Sequence, residues 1–186
     1  MSQSNSKRTQ ELKNLARMIA EKRGLDPELF VRLINQESGF DPNRRGAAGE
    51  IGLGQILPTT NADPGFGVKP ANDLFDPVDN LVFSANYLLA MINNFEGDLE
   101  KGVAAYNTGA GNVEKGIIPK STQNYLKNVL KGGTSSAPNE PVPESVPSDM
   151  DTSGIDAATR RRIDKVTEQL FGRKSSPRVG KAGITR

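Results

Sequence analysis

The stretch Gln36-Glu37-Ser38-Gly39-Phe40 decides how this chain is read, because it sets a glutamate where a helix should be burying carbon. Upstream, Asp26-Pro27 reads as an N-cap followed by proline at the first helical position, and Gly39 reads as the stop. Between them Phe30, Leu33 and Ile34 recur at helical spacing and form a core-facing stripe. Glu37 continues that stripe into the last turn. Partial burial and the negative end of the helix dipole both disfavour a carboxylate there, and both raise its pKa. A carboxylic acid that keeps its proton near neutral pH is what general acid catalysis requires. A last-turn glutamate that simply reaches solvent fits the same spacing, so the stripe alone leaves both readings open.

Composition narrows the chemistry. The 186 residues contain no cysteine and no histidine. That removes disulfides, thiolate nucleophiles, Cys- or His-ligated zinc, Ser-His-Asp hydrolysis and any imidazole base. An enzyme built from this inventory must work with carboxylates, amides and hydroxyls, and glycoside cleavage is carboxylate chemistry. No cofactor and no metal site are expected. Hydrophobic residues make up 35% of the chain, low for a wholly globular protein, so part of it is expected to stay unfolded. Residues 1–10 lack an apolar run after their charges, so no signal peptide is visible, and nothing approaches the roughly 18 apolar residues of a transmembrane segment.

The net charge of +2 hides an uneven distribution. Residues 1–131 carry 15 bases and 15 acids, residues 132–154 four acids and no base, and residues 155–186 nine bases and three acids. Three segments follow: a domain over 1–131, a Pro/Ser-rich acidic linker over 132–154 and a short helix with a basic, disordered tail over 155–186. Within the domain, Leu12, Leu15, Ala16 and Ile19 predict a helix over 8–23 ending near Gly24, and the second helix covers 26–38. Residues 39–57 are glycine-rich and predict an ordered loop or a small β lobe. Pro58-Thr59-Thr60 opens a short helix, Asp76-Pro77 a longer one, Asp98 caps a helix through Tyr106, and Ser121 caps the last, with Tyr125, Leu126, Val129 and Leu130 on it. In the tail, Ile163, Val166 and Leu170 share one side of a helix over 155–171, beside Arg160-Arg161-Arg162. The fold expected is mostly α: a bundle-like helical domain with a glycine-rich loop region.

Four motifs occur in order. Glu37-Ser38-Gly39-Phe40 is followed by Gly52-Leu53-Gly54-Gln55, then Ala105-Tyr106-Asn107-Thr108-Gly109, then Tyr125 with Val129 one turn on. Each is weak alone; as an ordered set on a helical pattern it resembles the soluble lytic transglycosylase family, whose domain is goose-type lysozyme-like, an α+β fold. The resemblance covers roughly residues 10–131. It implies that Glu37 is the catalytic acid and base, and that Gln55, Tyr106, Asn107, Tyr125 and Ser38 are substrate-binding. For Ser38 the bracing of the helix end weighs against sugar contact. Tyr87 resembles a packing residue of the family's structural helix. Three departures stand out: Gly54 where the family pattern has methionine, which removes an apolar wall; Gly46 where a serine hydroxyl is often found; and Glu50 where a small residue is common. Asp41 and Asp63 are the candidates for a second carboxylate, although Asp41-Pro42 reads as a turn.

The resemblance implies cleavage of the β-1,4 bond between N-acetylmuramic acid and N-acetylglucosamine of peptidoglycan, leaving 1,6-anhydromuramoyl ends. A hydrolytic muramidase on the same scaffold, or a non-catalytic peptidoglycan-binding virion module, are the alternatives. The expected partners are peptidoglycan glycan strands and other virion proteins, with weak nucleic-acid or anionic-membrane contact through the basic tail. The expected setting is a phage virion acting at the host cell envelope, since no export signal is visible and Asp63-Pro64-Gly65-Phe66-Gly67-Val68 resembles phage-borne relatives.

Overall fold

Asp26 and Asp76 each start a helix by the same means, and those two helices carry the fold. The Asp26 Oδ1 accepts the backbone N–H groups of Glu28 and Leu29 at 2.8 and 3.2 Å, and the Asp76 Oδ1 accepts those of Val78 and Asp79 at 3.0 and 3.1 Å. Each cap satisfies donors the helix itself cannot, worth about 1 kcal/mol. A computed structural model describes residues 2–131, 156–159, 161–163 and 165. In chain order its helices are α1 (Ser2–Lys22), α2 (Pro27–Ser38), α3 (Pro58–Ala62), α4 (Pro77–Asn94), α5 (Leu99–Thr108), α6 (Ala110–Glu114) and α7 (Lys120–Val129).

Helix α4 is the centre. Leu81, Val82, Phe83, Ala85, Leu88, Met91 and Ile92 are all buried, so apolar side chains point from it in every direction, as in a helix enclosed by others. Helices α1 and α5 pack directly on it, α2 packs on α1, and α7 closes against both α2 and α5. The α4–α5 approach depends on Gly102, because a Cβ there would lie 2.5 Å from Ile92 Cγ1 and 2.7 Å from its Cα. Phe30, Leu33, Ile34, Leu88, Met91, Val103 and Val129 fill the shared core, which holds α2, α5 and α7 in a fixed relation. The cleft described below depends on that relation.

Several expectations are corrected. The first helix begins at Ser2, six residues before the predicted 8, because Leu12, Leu15, Met18 and Ile19 anchor a helix that then extends outward through a polar turn. Ser121 is not a cap: α7 starts at Lys120, two residues earlier than a Ser121 cap would place it, Pro119 stands at the cap position, and no side chain caps it. The short α6 was not expected. The glycine-rich stretch takes the first of its two expected forms, an ordered loop; among the described residues it makes only isolated antiparallel bridges, Arg45 with Ile51 and Ile51 with Ile56.

A short helix is expected over 155–171. Residues 157–159 and 161–163 are helical, and Ile163 is fully buried in the main core. Arg162 reaches the first turn of α4, with Nη1 2.7 Å from Asp76 Oδ2 and Nη2 3.5 Å from Asp79 Oδ1. Arg162 therefore pairs with two carboxylates of the domain while its side chain stays 46% exposed. The predicted linker over 132–154 and the tail beyond 165 lie outside the described residues. No described helix is long and apolar enough to cross a membrane.

Candidate active site

The last turn of α2 presents Glu37 and then turns away sharply. Gly39 ends the helix in the left-handed region at φ 63°, its N–H on Asn35 O, and Phe40 follows at φ 64°. The second left-handed residue costs about 1 kcal/mol. Two contacts hold it there: the Ser38 Oγ accepts the Phe40 N–H at 3.2 Å, and the Phe40 ring is buried. The Ser38 hydroxyl donates in turn to Ile34 O at 3.3 Å. Ser38 is buried and spent on this brace, and it stands apart from the cleft surface.

The Glu37 carboxyl is half-buried, and the hydroxyl of Tyr125 from α7 donates to its Oε1 at 2.5 Å. Burial is the largest influence and pushes its pKa up to about 7; the Tyr125 hydrogen bond pulls down, the negative Glu50 pushes up and Arg44 pulls down. A group balanced there can give a proton at neutral pH and take one back. Both neighbouring phenols are held well above their ordinary range, by burial first and then by the charge of Glu37, so they serve as hydrogen-bond donors.

One wall of the cleft is the loop 44–57. Its anchor is Asn80, buried on α4, whose Nδ2 donates to Ile51 O at 3.0 Å and Leu74 O at 2.8 Å while its Oδ1 accepts the Gly54 N–H at 2.8 Å. Gly52 has to be glycine on two counts: its φ is +76°, and a Cβ would lie 2.4 Å from the Asn80 Nδ2. Gln55 sits in the left-handed region at φ 50°, with its Nε2 donating to Gly52 O at 2.9 Å and Arg44 O at 3.3 Å. The opposite wall is α5. The Tyr106 hydroxyl donates to Gly54 O at 3.0 Å, tying the walls together, and its ring meets Tyr87 edge-on at 5.7 Å. Asn107 is exposed, and its Oδ1 accepts from the Thr122 hydroxyl at 2.8 Å.

Together these walls enclose a cleft of about 400 Å³, onto which Glu37, Glu50, Gln55, Tyr87, Tyr106 and Asn107 open. Tyr125 approaches Glu37 from behind, through its hydroxyl. Four of the predicted site residues thus share one surface, Tyr125 supports it, and Ser38 does not reach it. Tyr87, expected only to pack, stacks on Phe83 and also lines the cleft. A second groove of similar volume lies between the Phe66 loop and α4, lined by Phe66, Lys69, Asn86 and Asn93. It holds no carboxyl, so chemistry and not size singles out the cleft at Glu37.

The departures acquire physical meaning here. A Cβ on Gly54 would fall 1.9 Å from Ser84 Oγ and 2.8 Å from the Tyr106 hydroxyl, so the space of the expected side chain is already filled. No wall is missing. A Cβ on Gly46 would fall 2.1 Å from Glu50 Oε2 and 2.9 Å from Gln55 Oε1. The second carboxylate of the cleft is therefore Glu50. Asp41 forms a turn through the Asn43 N–H at 2.9 Å, and Asp63 ends α3; neither lines the cleft. Sequence reasoning named Glu50 only as a departure from the family pattern, and did not single out Asn80, Ser84 or Thr122. The available signal for Asn80 and Ser84 was a polar pair four residues apart within the apolar run of α4.

The chain matches the family described as Transglycosylase SLT domain over residues 14–129. It is 27% identical over 173 residues to a membrane-bound lytic murein transglycosylase C of Yersinia enterocolitica, an alignment covering 86% of this chain and 46% of that protein. It is 32% identical over 129 residues to a membrane-bound lytic murein transglycosylase D of Escherichia coli K12, covering 59% and 28%. Among solved structures it resembles an inactive mutant of the lytic transglycosylase Slt of Pseudomonas aeruginosa, with a TM-score of 0.55 and 28% identity over 62% of this chain and 22% of that one. The 70 kDa soluble lytic transglycosylase of Escherichia coli gives the same TM-score at 26% identity and the same coverage. The chain spans less than half the length of these relatives, and the likeness places its helical body in their fold.

Proposed function

The chain belongs to the Transglycosylase SLT domain family, and from that premise we propose that it is a peptidoglycan lytic transglycosylase in which Glu37 serves as both acid and base. The observation that carries the proposal is the half-buried Glu37 carboxyl, pushed up to about 7 and oriented by the Tyr125 hydroxyl on the wall of an amide- and phenol-lined cleft. Protonated Glu37 gives its proton to the glycosidic oxygen between N-acetylmuramic acid and N-acetylglucosamine as the C1–O bond breaks. The carboxylate then takes the proton of the muramic C6 hydroxyl as that oxygen bonds to C1. The products are a 1,6-anhydromuramoyl end and a free 4-hydroxyl, with no water consumed and the proton back on Glu37. One carboxyl performs both transfers, at different moments of the cycle. Gln55 and Asn107 supply amide groups for sugar hydroxyl and N-acetyl groups, and Tyr87 and Tyr106 supply ring surface.

A hydrolytic muramidase is the second reading, and the presence of Glu50 in the cleft is what favours it, since a second carboxylate can take a proton from water. Mass spectrometry of muropeptides released from purified peptidoglycan distinguishes the two. Anhydromuramoyl ends that disappear with Glu37→Gln are the expected result. Reducing ends that disappear with that variant would make the enzyme a lysozyme, and undiminished release by a folded Glu37→Gln would end the role of Glu37.

The biological setting we infer is wall opening by a phage particle. The support for it is the segment 63–68, which resembles phage-borne relatives and turns at Phe66-Gly67, where the Phe66 ring is exposed. Detection of the chain in purified particles tests this, and its absence from them would overturn it.

A further inference from the structure

The loop at the cleft mouth carries an anion that the reaction above does not use. Glu50 opens onto the same cleft as Glu37, and three contacts hold it there. Its Oε2 accepts the Ala48 N–H at 2.9 Å, its own carbonyl accepts the Gly46 N–H at 2.9 Å, and the next residue, Ile51, bridges to Arg45 and Ile56. The carboxylate lies directly over the Cα of Gly46, beside the Gln55 amide, in space that any side chain at position 46 would take. An anion fixed in this way cannot swing into solvent without giving up the Ala48 contact. It therefore acts on its neighbours as a standing charge at a half-buried position on the cleft.

We propose that Glu50 is a positioning residue of this cleft, a fixed negative charge that sets the pH range over which Glu37 can donate a proton. The inference rests on the reading of Glu37 as the acid. The charged and titratable groups facing Glu37 are Arg44 and Glu50 from the loop, Tyr106 from α5 and Tyr125 from α7. Both phenols stay neutral across the working range, so beyond burial and the Tyr125 hydrogen bond, which weigh most, the charges acting on Glu37 are two of opposite sign on one loop. Arg44 favours the carboxylate and Glu50 favours the acid. Gly46 is what admits Glu50 to that position. The pairing of a bare Cα with an acid four residues later is therefore one electrostatic device, although in sequence it looks like two unrelated departures.

The test is the titration of the Glu37 carboxyl followed by carbon NMR on the full chain without substrate, beside the pH–rate profile for release of soluble muropeptides. Glu50→Gln keeps the shape and the Ala48 contact but removes the charge. The Glu37 midpoint should fall by roughly 0.5 pH unit, and the alkaline limb of the rate profile should fall with it, a loss of roughly threefold in rate above the midpoint. Gly46→Ala displaces the carboxylate without deleting it and should shift the midpoint in the same direction. The double variant should shift it no further than Glu50→Gln alone. A Glu37 midpoint unmoved in folded Glu50→Gln, or lower activity at every pH with an unmoved midpoint, would overturn the proposal. If no glycan is cleaved even by the unaltered chain, the functional reading fails, and the NMR midpoints still decide the role of Glu50.

Discussion

The Tyr125 hydroxyl and the Glu37 carboxyl, 88 positions apart in the chain, meet at 2.5 Å across the α2–α7 contact. This hydrogen bond opposes the effect of burial on Glu37. It also fixes which carboxyl oxygen is left to face the cleft. Tyr125→Phe should therefore move the Glu37 midpoint up, opposite in sign to Glu50→Gln. With the carboxyl no longer oriented, turnover should fall by ~10-fold to ~100-fold. A pH–rate profile checks both parts. An alkaline limb that moves down would contradict the assignment of Tyr125 as donor to the carboxylate.

Glu37 is held protonated at some expense to the fold. Its pKa is near 4.5 when exposed and about 7 in the folded protein. The folded state therefore binds the extra proton between those values, and stability drops as pH rises through them. Below about 4.5 the contribution is fully present, and above about 7 it is lost, with a ceiling of ~3 kcal/mol for the shift involved. Glu37→Gln removes the titration. It should be more stable than the unaltered chain at pH 8 and should lose that advantage by pH 4. Thermal unfolding at the two pH values measures this, and a constant difference between them would show that Glu37 ionises freely.

Asn80 ties the loop wall of the cleft to the central helix. Its removal in Asn80→Ala would leave Ile51 O and Leu74 O without their buried donor and the Gly54 N–H without its acceptor. A loss of roughly 3 kcal/mol is expected. Hydrogen exchange at the Gly54 amide should accelerate, and activity should fall although Asn80 does not line the cleft. Unchanged protection at Gly54 would refute the anchoring role.

Ile163, buried in the main core, and Arg162, paired with the first turn of α4, fasten the C-terminal segment to the domain. Ile163→Asp places a charge in the core and should undock residues 156–165, which limited proteolysis would report as new cleavage around them. Arg162→Ala should cost no more than about 1 kcal/mol, because the guanidinium is nearly half exposed. It should also raise the Asp79 pKa further, since burial and Asp76 already push it up and Arg162 opposes them. Equal protease resistance of Ile163→Asp and the unaltered chain would rule out docking.

Much of the fold was legible because it is locally encoded. Asp26-Pro27, Asp76-Pro77, Asp98 and Gly39 mark helix ends by hydrogen bonds within a few residues, and the stripe through Phe30, Leu33 and Ile34 repeats at the helical period. The polar N-terminal turns of α1 and the uncapped start of α7 carried no such mark, and their boundaries were read wrongly. The position of Glu37 on its helix, and the exclusion of histidine and cysteine chemistry, follow from residue order and composition alone. Its proton affinity does not. That depends on how far α5 and α7 bury it, on the Tyr125 hydroxyl arriving from 88 residues away, and on the charges of Glu50 and Arg44. The same holds for Gly46 and Gly54. In sequence they are missing side chains; in three dimensions the Glu50 carboxylate and the Ser84 hydroxyl occupy the space. Local backbone preferences act over a few residues and can be read along the chain. Burial, electrostatic balance and steric exclusion act between surfaces that only packing brings together.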